Sequence, residues 1–222
     1  MSVIAIVPAL KINKYSPQGD LSSWGDTNLL EWKISQLKQV NEIDKIVVST
    51  DSDSIVAITN KIGIESFKRS KNLSLKDSLL DVCAKLEPED HILWANPTSP
   101  FIDQRIFSSL INQYFIHNEP VDGFVTSRLQ HEFLFTEAGP INFDNMAIMS
   151  RDQLPDVYMI TNGAYFSCCK DVLKRERMFG KNPRFLEISW LASLEIRESQ
   201  QMSLFSTLME EFFKEELSSH DI

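Results

Sequence analysis

An α/β fold built on a mostly parallel sheet is predicted by two features of this 222-residue sequence. Short apolar runs typical of strands alternate with amphipathic stretches typical of helices, which is the pattern of right-handed parallel units. The first run, residues 3–7, is apolar at every position, as expected of a strand buried on both faces. Since 43% of the residues are apolar, the chain can form a sizeable core, and we predict a single domain spanning 1–222.

The first half of the chain follows this alternation closely. Strands are predicted over residues 3–7, 45–49, 64–67 and 92–95, and helices over 28–40, 54–62, 76–85 and 103–116. Asn28 is expected to cap the first helix, because Glu31 three residues later completes a capping-box pattern. Gly63 is expected to end the second helix.

The second half is less regular. A strand is predicted over 124–126, the sheet is expected to resume over 159–166, and a long amphipathic helix is predicted over 200–217. Between them, residues 128–158 lose the strand–helix rhythm and contain turns and scattered apolar side chains. We interpret this stretch as a small excursion from the domain.

Charge and composition exclude several classes of function. The net charge of −9 argues against binding nucleic acid over a broad surface, because phosphate binding needs basic patches. No apolar run is long enough to span a bilayer. The run 3–7 has no basic residue before it and a proline directly after it, so we expect a buried strand and not a signal peptide.

The cysteines and histidines predict neither disulfides nor a zinc site. Three cysteines, Cys83, Cys168 and Cys169, are an odd number without a Cys-x-x-Cys motif, which fits a reducing compartment and a cytoplasmic location. The four histidines are scattered without zinc-ligand spacing: His91, His117, His131 and His220.

Polar clusters follow three predicted strands. They are Lys11, Asn13 and Lys14 after the first strand, the segment 49–53 after the second, and Asn96-Pro-Thr-Ser-Pro100 after the fourth. Each has a simpler explanation: solvated lysines, a helix cap or a tight turn. However, parallel strands end at one edge of a sheet, where ligands bind in open α/β folds, so together the clusters predict a binding face.

Glycine-rich phosphate motifs are absent. None of the seven glycines forms Gly-x-Gly, and no Gly-x-x-x-x-Gly-Lys occurs, which excludes a dinucleotide-binding fingerprint and a P-loop. No Gly-x-Ser-x-Gly elbow supports a serine hydrolase either.

Several segments resemble the CTP-dependent sugar cytidylyltransferases, in particular the acylneuraminate (CMP-sialic acid) enzymes and, more distantly, the 3-deoxy-manno-octulosonate enzymes. The matching segments are Val3-Ile-Ala-Ile-Val-Pro-Ala9, Leu29-Leu-Glu-Trp32, Ile43-Asp-Lys-Ile-Val-Val-Ser-Thr-Asp51, Asn96-Pro-Thr-Ser-Pro-Phe101, Arg151-Asp-Gln-Leu-Pro155 and Asn162-Gly-Ala164. The resemblance runs nearly end to end. It implies the Rossmann-like three-layer sandwich of nucleotide-diphospho-sugar transferases.

The resemblance also implies a reaction. The anomeric hydroxyl of an acidic nonulosonic sugar would attack the α-phosphate of CTP, pyrophosphate would leave, and Mg²⁺ would screen the charge. Family members use an inserted arm to reach the partner's sugar site, which implies a homodimer formed through residues 128–158.

Site residues are carried over from the same resemblance. The implied catalytic residues are Lys14 and Arg151, and Glu195 is the implied metal ligand. The implied nucleotide contacts are Pro8, Ala9, Leu10, Lys11, Asn13, Lys14 and Asp77. The implied sugar contacts are Asn96, Thr98, Ser99, Arg151, Gln153, Asn162 and Tyr165.

The sequence departs from the family at the nucleotide and metal motifs. Where the family has arginine and lysine in the first loop, this chain has Leu10 and Gly19. Lys11, Ile12 and Tyr15 stand where the family's loop has glycines. The family's metal-binding Asp-x-Asp aligns with Glu195-Ile-Arg197, and a guanidinium cannot hold a cation. We expect weak CTP binding, which the double change Leu10→Arg and Gly19→Lys would tighten.

Two functions follow from these observations. One is an active transferase that makes a CMP-activated acidic sugar. The other is a catalytically weak or inactive homologue that binds nucleotide or sugar, or serves as a partner protein. A purely structural subunit has no positive support in the sequence.

Overall fold

The computed structural model describes residues 1–71, 73–115, 122–129, 132–147 and 149–213. The predicted helix ends at 116 and 217 lie outside these residues, as do His117, His131, His220 and Ile148, which falls within the predicted excursion 128–158. In the described ranges, no helix combines the length and apolar character that a membrane crossing requires.

Eleven strands and six α-helices make up the described residues. The strands are β1 Val3–Ala9, β2 Ser23–Trp24, β3 Thr27–Asn28, β4 Lys45–Thr50, β5 Glu65–Lys68, β6 His91–Ala95, β7 Gly123–Leu129, β8 Phe135–Thr136, β9 Gly139–Pro140, β10 Val157–Cys168 and β11 Arg184–Glu187. The helices are α1 Leu29–Leu37, α2 Asp53–Lys61, α3 Leu75–Cys83, α4 Gln104–Phe115, α5 Cys169–Arg175 and α6 Ser199–Phe212.

Seven of the strands form one sheet, in the order β11-β7-β10-β6-β1-β4-β5. β1 pairs in parallel with β4 and with β6, so that Ile6 lies between Val47 and Trp94. β10 runs antiparallel to both β6 and β7. The prediction of a mostly parallel α/β fold is confirmed, with one reversed strand that the sequence did not reveal.

The predicted helix signals form as expected. The Asn28 side chain accepts a hydrogen bond from the Glu31 amide at 3.0 Å, which satisfies a free donor at the start of α1. α2 is followed by Gly63 in the left-handed conformation, with φ of +71°. Differences from the predicted bounds are mostly a few residues at each end, where helices fray.

Helices cover both faces of the sheet because β1 sends alternate side chains to opposite sides. Ala5 and Val7 belong to a core with α1 and α4, whereas Ile4 and Ile6 belong to a core with α3 and α5. This is the three-layer sandwich implied by the resemblance. A third cluster joins α6 to the first loop region through Trp24, Phe101, Phe205 and Phe213.

The excursion predicted over 128–158 is shorter at both ends, because Arg128 and Leu129 of β7 still pair with Tyr158 and Val157 of β10 in the sheet. β8 and β9 form a small hairpin there, and a single 3₁₀ turn spans Arg151–Gln153. Two elements that follow were not predicted, α5 and β11. Both are short, with seven and four residues, and so lack a periodicity that a sequence pattern reveals.

Candidate functional site

A cavity of about 530 Å³ opens at the carboxyl edge of the sheet. It lies where the strand order changes direction, since β4 and β5 lie on one side of β1 and β6 on the other. Open α/β sheets bind ligands at this position, and the volume is within the range of small-molecule sites. Three polar clusters were predicted at this edge. Residues of the first and third, in the loops after β1 and β6, line the cavity, whereas the segment 49–53 is not part of its lining.

The loop after β1, residues 10–20, is held by its own polar groups. Asn13 Oδ1 accepts from the amides of Tyr15 and Ser16 at 3.0 and 2.8 Å. The Asp20 amide donates to the Leu10 carbonyl at 2.9 Å, and the Leu10 amide donates back to Asp20 Oδ2 at 2.7 Å. Loop amides that a glycine-rich loop would offer to phosphate are therefore partly used internally.

Three amides of this loop remain available. Those of Lys11, Ile12 and Lys14 have no acceptor among the described residues. Backbone N–H groups without an internal acceptor can donate to an anion. These three amides are therefore available to a ligand phosphate, although the loop has no glycine-rich motif.

Gly19 packs closely against the backbone of Leu10 and Lys11 in this loop. Its φ is +54°, and a Cβ there would lie 2.1 Å from the Leu10 carbonyl oxygen. No side chain fits at this position without displacing backbone. Gly19→Lys, which was expected together with Leu10→Arg to tighten CTP binding, would therefore displace the backbone of this loop.

Asp20 is a buried carboxyl in the cavity wall. Burial raises its pKa to about 7, against the opposing effects of the Leu10 amide, the Arg69 charge and the Asn13 amide. Asn13 Nδ2 donates to its Oδ1 at 3.4 Å. A group that titrates near neutral pH therefore lies at the base of the loop.

Arg69, directly after β5, lines the same cavity and was missed by sequence reasoning. Its Nη1 donates to Ser78 Oγ at 2.7 Å, while its buried Nε has no acceptor among the described residues. A buried donor without an acceptor suits a ligand oxygen. A lone arginine after a short strand carries no motif, so only its position at a strand end could have identified it.

Helix α1 holds the loop after β6. Lys33 Nζ donates to the carbonyls of Ser99 at 2.9 Å and Ile102 at 2.7 Å, and Trp32 Nε1 donates to Pro100 at 2.9 Å. Burial lowers the pKa of Lys33 to about 7, partly offset by Asp103. The helix thereby fixes the segment that presents Asn96 and Thr98 to the cavity.

A series of hydrogen bonds connects Asn96, after β6, with Asn162 and Tyr165 of β10 and with Glu195. Asn96 Nδ2 donates to the Asn162 carbonyl. The Tyr165 hydroxyl donates to Asn162 Oδ1 at 2.6 Å, and Asn162 Nδ2 donates to Glu195 Oε1 at 3.4 Å. Burial, with a smaller effect of Glu195, raises the pKa of Tyr165 to about 12, so its hydroxyl remains a donor at neutral pH.

Glu195 is paired with the arginine two residues later. Arg197 donates from Nε at 2.9 Å and from Nη2 at 2.8 Å to the same oxygen, Oε2. The Glu195 side chain is 9% exposed and that of Arg197 is 53% exposed. The implied metal ligand therefore already has a cation within contact distance.

The wall opposite the loops is apolar with charged residues beside it. Its apolar part consists of Leu73, Leu75, Leu79, Trp94, Met178 and Phe179. Lys76 pairs with Glu176, which has a left-handed φ of +54°. Arg177 follows it and has no partner among the described residues. Among the residues that the structure describes, the carboxylates that line the cavity are Asp20, Glu176 and Glu195, and the cations are Arg69, Lys76 and Arg177.

The cavity brings together eight of the sequence-derived residues: Pro8, Leu10, Asn13, Asn96, Thr98, Asn162, Tyr165 and Glu195. Residues that the sequence did not identify also line it, and the polar ones among them are Tyr15, Asp20, Arg69, Lys76, Ser78, Glu176 and Arg177.

Seven other sequence-derived residues do not line the cavity: Ala9, Lys11, Lys14, Asp77, Ser99, Arg151 and Gln153. Ala9 and Ser99 are buried in the packing around it. Lys14 is exposed beside the cavity residue Tyr15, with Nζ 4.9 Å from the ring centroid. Asp77 contacts Ser74 at the start of α3, where the Ser74 hydroxyl donates to Asp77 Oδ2 at 2.7 Å.

Arg151 and Gln153 lie on the excursion and not at this cavity. The Gln153 side chain accepts from the Ser150 amide at 2.9 Å, and Arg151 Nη1 lies 3.6 Å from Glu132 Oε1. Of the pair expected to share a pocket with Asn96, the single chain places Asn162 there and leaves Arg151 outside.

A family model described as cytidylyltransferase matches residues 16–179 of this chain. Among curated proteins, a pseudaminic acid cytidylyltransferase of Campylobacter jejuni subsp. jejuni (strain 81-176) is 24% identical, with 81% of this chain and 84% of the relative covered. The corresponding protein of strain NCTC 11168 is 23% identical, with the same shares covered.

Solved structures share the fold. A CMP:2-keto-3-deoxy-manno-octonic acid synthetase complexed with CTP superposes with a TM-score of 0.77 and 12% identity, covering 95% of this chain and 99% of that one. A 4-diphosphocytidyl-2C-methyl-D-erythritol synthase from Anaerococcus prevotii superposes with a TM-score of 0.71 and 15% identity, covering 94% and 96%.

Proposed function

The chain belongs to the cytidylyltransferase family, and from this membership we propose that it transfers CMP from CTP to an acidic nonulosonic sugar. In this reaction the anomeric oxygen of the sugar forms a bond to the α-phosphorus. The bond from that phosphorus to the oxygen bridging to the β-phosphate breaks, pyrophosphate leaves, and the hydroxyl proton passes to solvent or a base. The names of the relatives, which act on pseudaminic acid, support a nonulosonic acceptor.

One observation carries this proposal. The loop after β1, the loop after β6 and the Asn162–Tyr165 segment of β10 meet at one cavity at the switch point of the sheet. These segments are distant in sequence, and the cavity is lined by Pro8, Asn96 and Asn162 of the segments 3–9, 96–101 and 162–164 that match the sugar cytidylyltransferases. We propose that Pro8, Leu10 and Asn13 contact the nucleotide, and that Asn96, Thr98, Asn162 and Tyr165 contact the sugar.

Residues beside the cavity complete the proposed site. Lys11 and Lys14 lie on the exposed side of the first loop, where their charges and free amides suit the triphosphate. We assign Lys14 to charge stabilisation at the phosphates. Arg69, which lines the cavity and has a buried Nε without an acceptor among the described residues, adds a cation that the sequence did not identify. Ala9, Asp77 and Ser99 support the loops and do not contact ligand in this assignment.

A homodimer would supply the missing arginine. On the excursion 128–158 the described residues expose large apolar side chains, including Phe135 at 66% and Met146 at 90%, with Phe133 and Ile141 beside them. Exposed apolar clusters of this kind mark interfaces. We propose that residues 128–158 form a dimerisation subdomain, and that Arg151 and Gln153 serve the sugar site of the partner.

Mg²⁺ is the cofactor that the family resemblance implies, and the residues at its expected position do not fit it. In the part of the chain that the structure describes, the carboxylate at this position is Glu195, which already accepts two hydrogen bonds from Arg197. Among the described residues, no group of three His, Cys, Asp or Glu is arranged to hold a metal ion. We derive no step through a protein-bound metal.

A second candidate is a weak or inactive homologue that binds nucleotide or sugar. It is favoured by the internal use of the first-loop amides and by the close packing of Gly19, which excludes the family's lysine. Losing one contact to developing charge costs about 10²–10³ in rate, so several losses together would leave little activity.

The test is release of pyrophosphate from CTP with and without a panel of nonulosonic acids. We expect release that requires an acidic sugar and falls strongly in Tyr165→Phe, which removes the hydroxyl that orients Asn162. Tyr114→Phe, on α4 and outside both the cavity and the proposed dimerisation subdomain, is the matched control and should retain activity. Nucleotide or sugar binding without pyrophosphate release would instead establish the second candidate.

A further inference from the structure

The pair formed by Glu195 and Arg197 places a positive charge of the protein itself at the edge of the cavity. Glu195 lines the cavity and is nearly buried, while Arg197 lies outside the lining and is half exposed. Both Nε and Nη2 of Arg197 donate to Oε2, and Asn162 Nδ2 contacts Oε1. Both carboxylate oxygens therefore already have donors.

This arrangement conflicts with a divalent cation at the same carboxylate. A metal ion at Oε2 would have to displace two charge-assisted hydrogen bonds and would lie beside a guanidinium, which keeps its charge at any relevant pH. Mg²⁺ is usually held by one or two carboxylates with phosphates and water. Arg197, at the second position of the motif, offers no oxygen at all.

The Arg197 guanidinium has N–H groups that form no hydrogen bond among the described residues. A guanidinium carries five N–H groups, of which two contact Glu195. The other three have no acceptor among the described residues. Arginine binds phosphate oxygens with the same groups that it uses for carboxylates.

We propose that Arg197, oriented by Glu195, is a resident cation that takes the place of a divalent metal at this end of the cavity. It acts as a positioning residue that screens the negative charge of the nucleotide. This proposal rests on the proposed function for the identity of the ligand. Its statement about the metal does not depend on that function.

The first experiment measures Mn²⁺ binding to the protein without nucleotide, from the loss of the free-ion signal in electron paramagnetic resonance. We expect the unaltered protein to bind no Mn²⁺ at this position up to about 1 mM. Arg197→Asp supplies a second carboxylate and should bind one Mn²⁺ ion at least about tenfold more tightly than that limit for the unaltered protein. Arg197→Gln, which removes the charge without adding a carboxylate, is the matched control and should gain much less.

The second experiment measures CTP binding by calorimetry in EDTA or in Mg²⁺. We expect the unaltered protein to bind similarly in both, and Arg197→Gln to lose about tenfold or more in both. Arg197→Asp should bind poorly in EDTA and recover in Mg²⁺. Circular dichroism melting curves establish that each variant is folded.

Two results overturn the proposal: an Mn²⁺ site in the unaltered protein that Glu195→Gln abolishes, or CTP affinity that Arg197→Gln leaves unchanged. Failure of the proposed function has a different signature. In that case CTP binds to no variant under either condition, while the Mn²⁺ measurements still decide whether Arg197 excludes a metal.

Discussion

Replacement of Gly19 by alanine tests how tightly the first loop is packed. A Cβ at this position would lie 2.1 Å from the Leu10 carbonyl oxygen and 2.6 Å from the Lys11 carbonyl carbon. The positive φ costs a residue with a Cβ about 1–2 kcal/mol, and overpacking against backbone adds about 1–3 kcal/mol. We expect Gly19→Ala to lower the free energy of unfolding by about 2–5 kcal/mol, measured by urea denaturation with tryptophan fluorescence.

Gly63→Ala is the control that separates the two contributions. Gly63 also has a positive φ, +71°, but a Cβ there would meet nothing within 4 Å. Its replacement should therefore show only the conformational cost of about 1–2 kcal/mol. Equal losses of stability in the two variants would refute the close contact between Gly19 and the loop backbone. Gly19→Lys should weaken CTP binding for the same reason.

Three further predictions concern buried charges and the excursion. Lys33→Met removes the donor of the Ile102 carbonyl and leaves the Ser99 carbonyl with only the Ile102 amide at 3.4 Å, so it should lower the free energy of unfolding by about 2–4 kcal/mol. Burial lowers the pKa of Lys33 from 10.5 to about 7, so between pH 7 and pH 10.5 the native state binds fewer protons than the unfolded state. The free energy of unfolding should therefore rise with pH over this range, and it should rise less steeply in Lys33→Met. Burial raises the pKa of Asp20 from 3.8 to about 7, so the free energy of unfolding should fall as pH rises from about 4 to about 7. Urea titrations should show a flatter dependence on pH in Asp20→Asn. The same pH dependence in both proteins would contradict this prediction. Phe135→Asp should convert a dimer into a monomer in light scattering, whereas Leu204→Asp, at 58% exposure against 66% for Phe135 but on α6, should not. A monomeric unaltered protein would reject the dimer.

Much of the fold follows from local patterns. The apolar run at 3–7 predicts the central strand, and Asn28 with Glu31 predicts the start of α1, because burial and capping leave direct marks on the sequence. The direction of β10 could not be predicted in this way. Period-two patterning is the same in parallel and antiparallel strands, so the insertion of β10 between β6 and β7 depends on tertiary pairing.

The candidate site was predictable where strand ends carry polar clusters. Asn13 and Asn96 were identified by their positions, and both line the cavity. Arg69 and Arg177 were missed because single arginines on a polar surface carry no pattern. Their role becomes visible only when the cavity brings Arg69 to Ser78 and leaves Arg177 without a partner in the described residues.

The position of β10 also constrains the order in which the sheet can assemble during synthesis. β6 is buried along its whole length and must pair with β10, which begins 62 residues after β6 ends and lies between β6 and β7. A nascent chain that has emerged only through β7 therefore holds two strands that cannot yet pair with their native neighbour. Unpaired apolar strand edges are templates for aggregation, and non-local pairing of this kind is slow. Chains interrupted between β7 and β10 should thus be recovered mainly as insoluble material, whereas chains that reach the end of β10 can close the sheet.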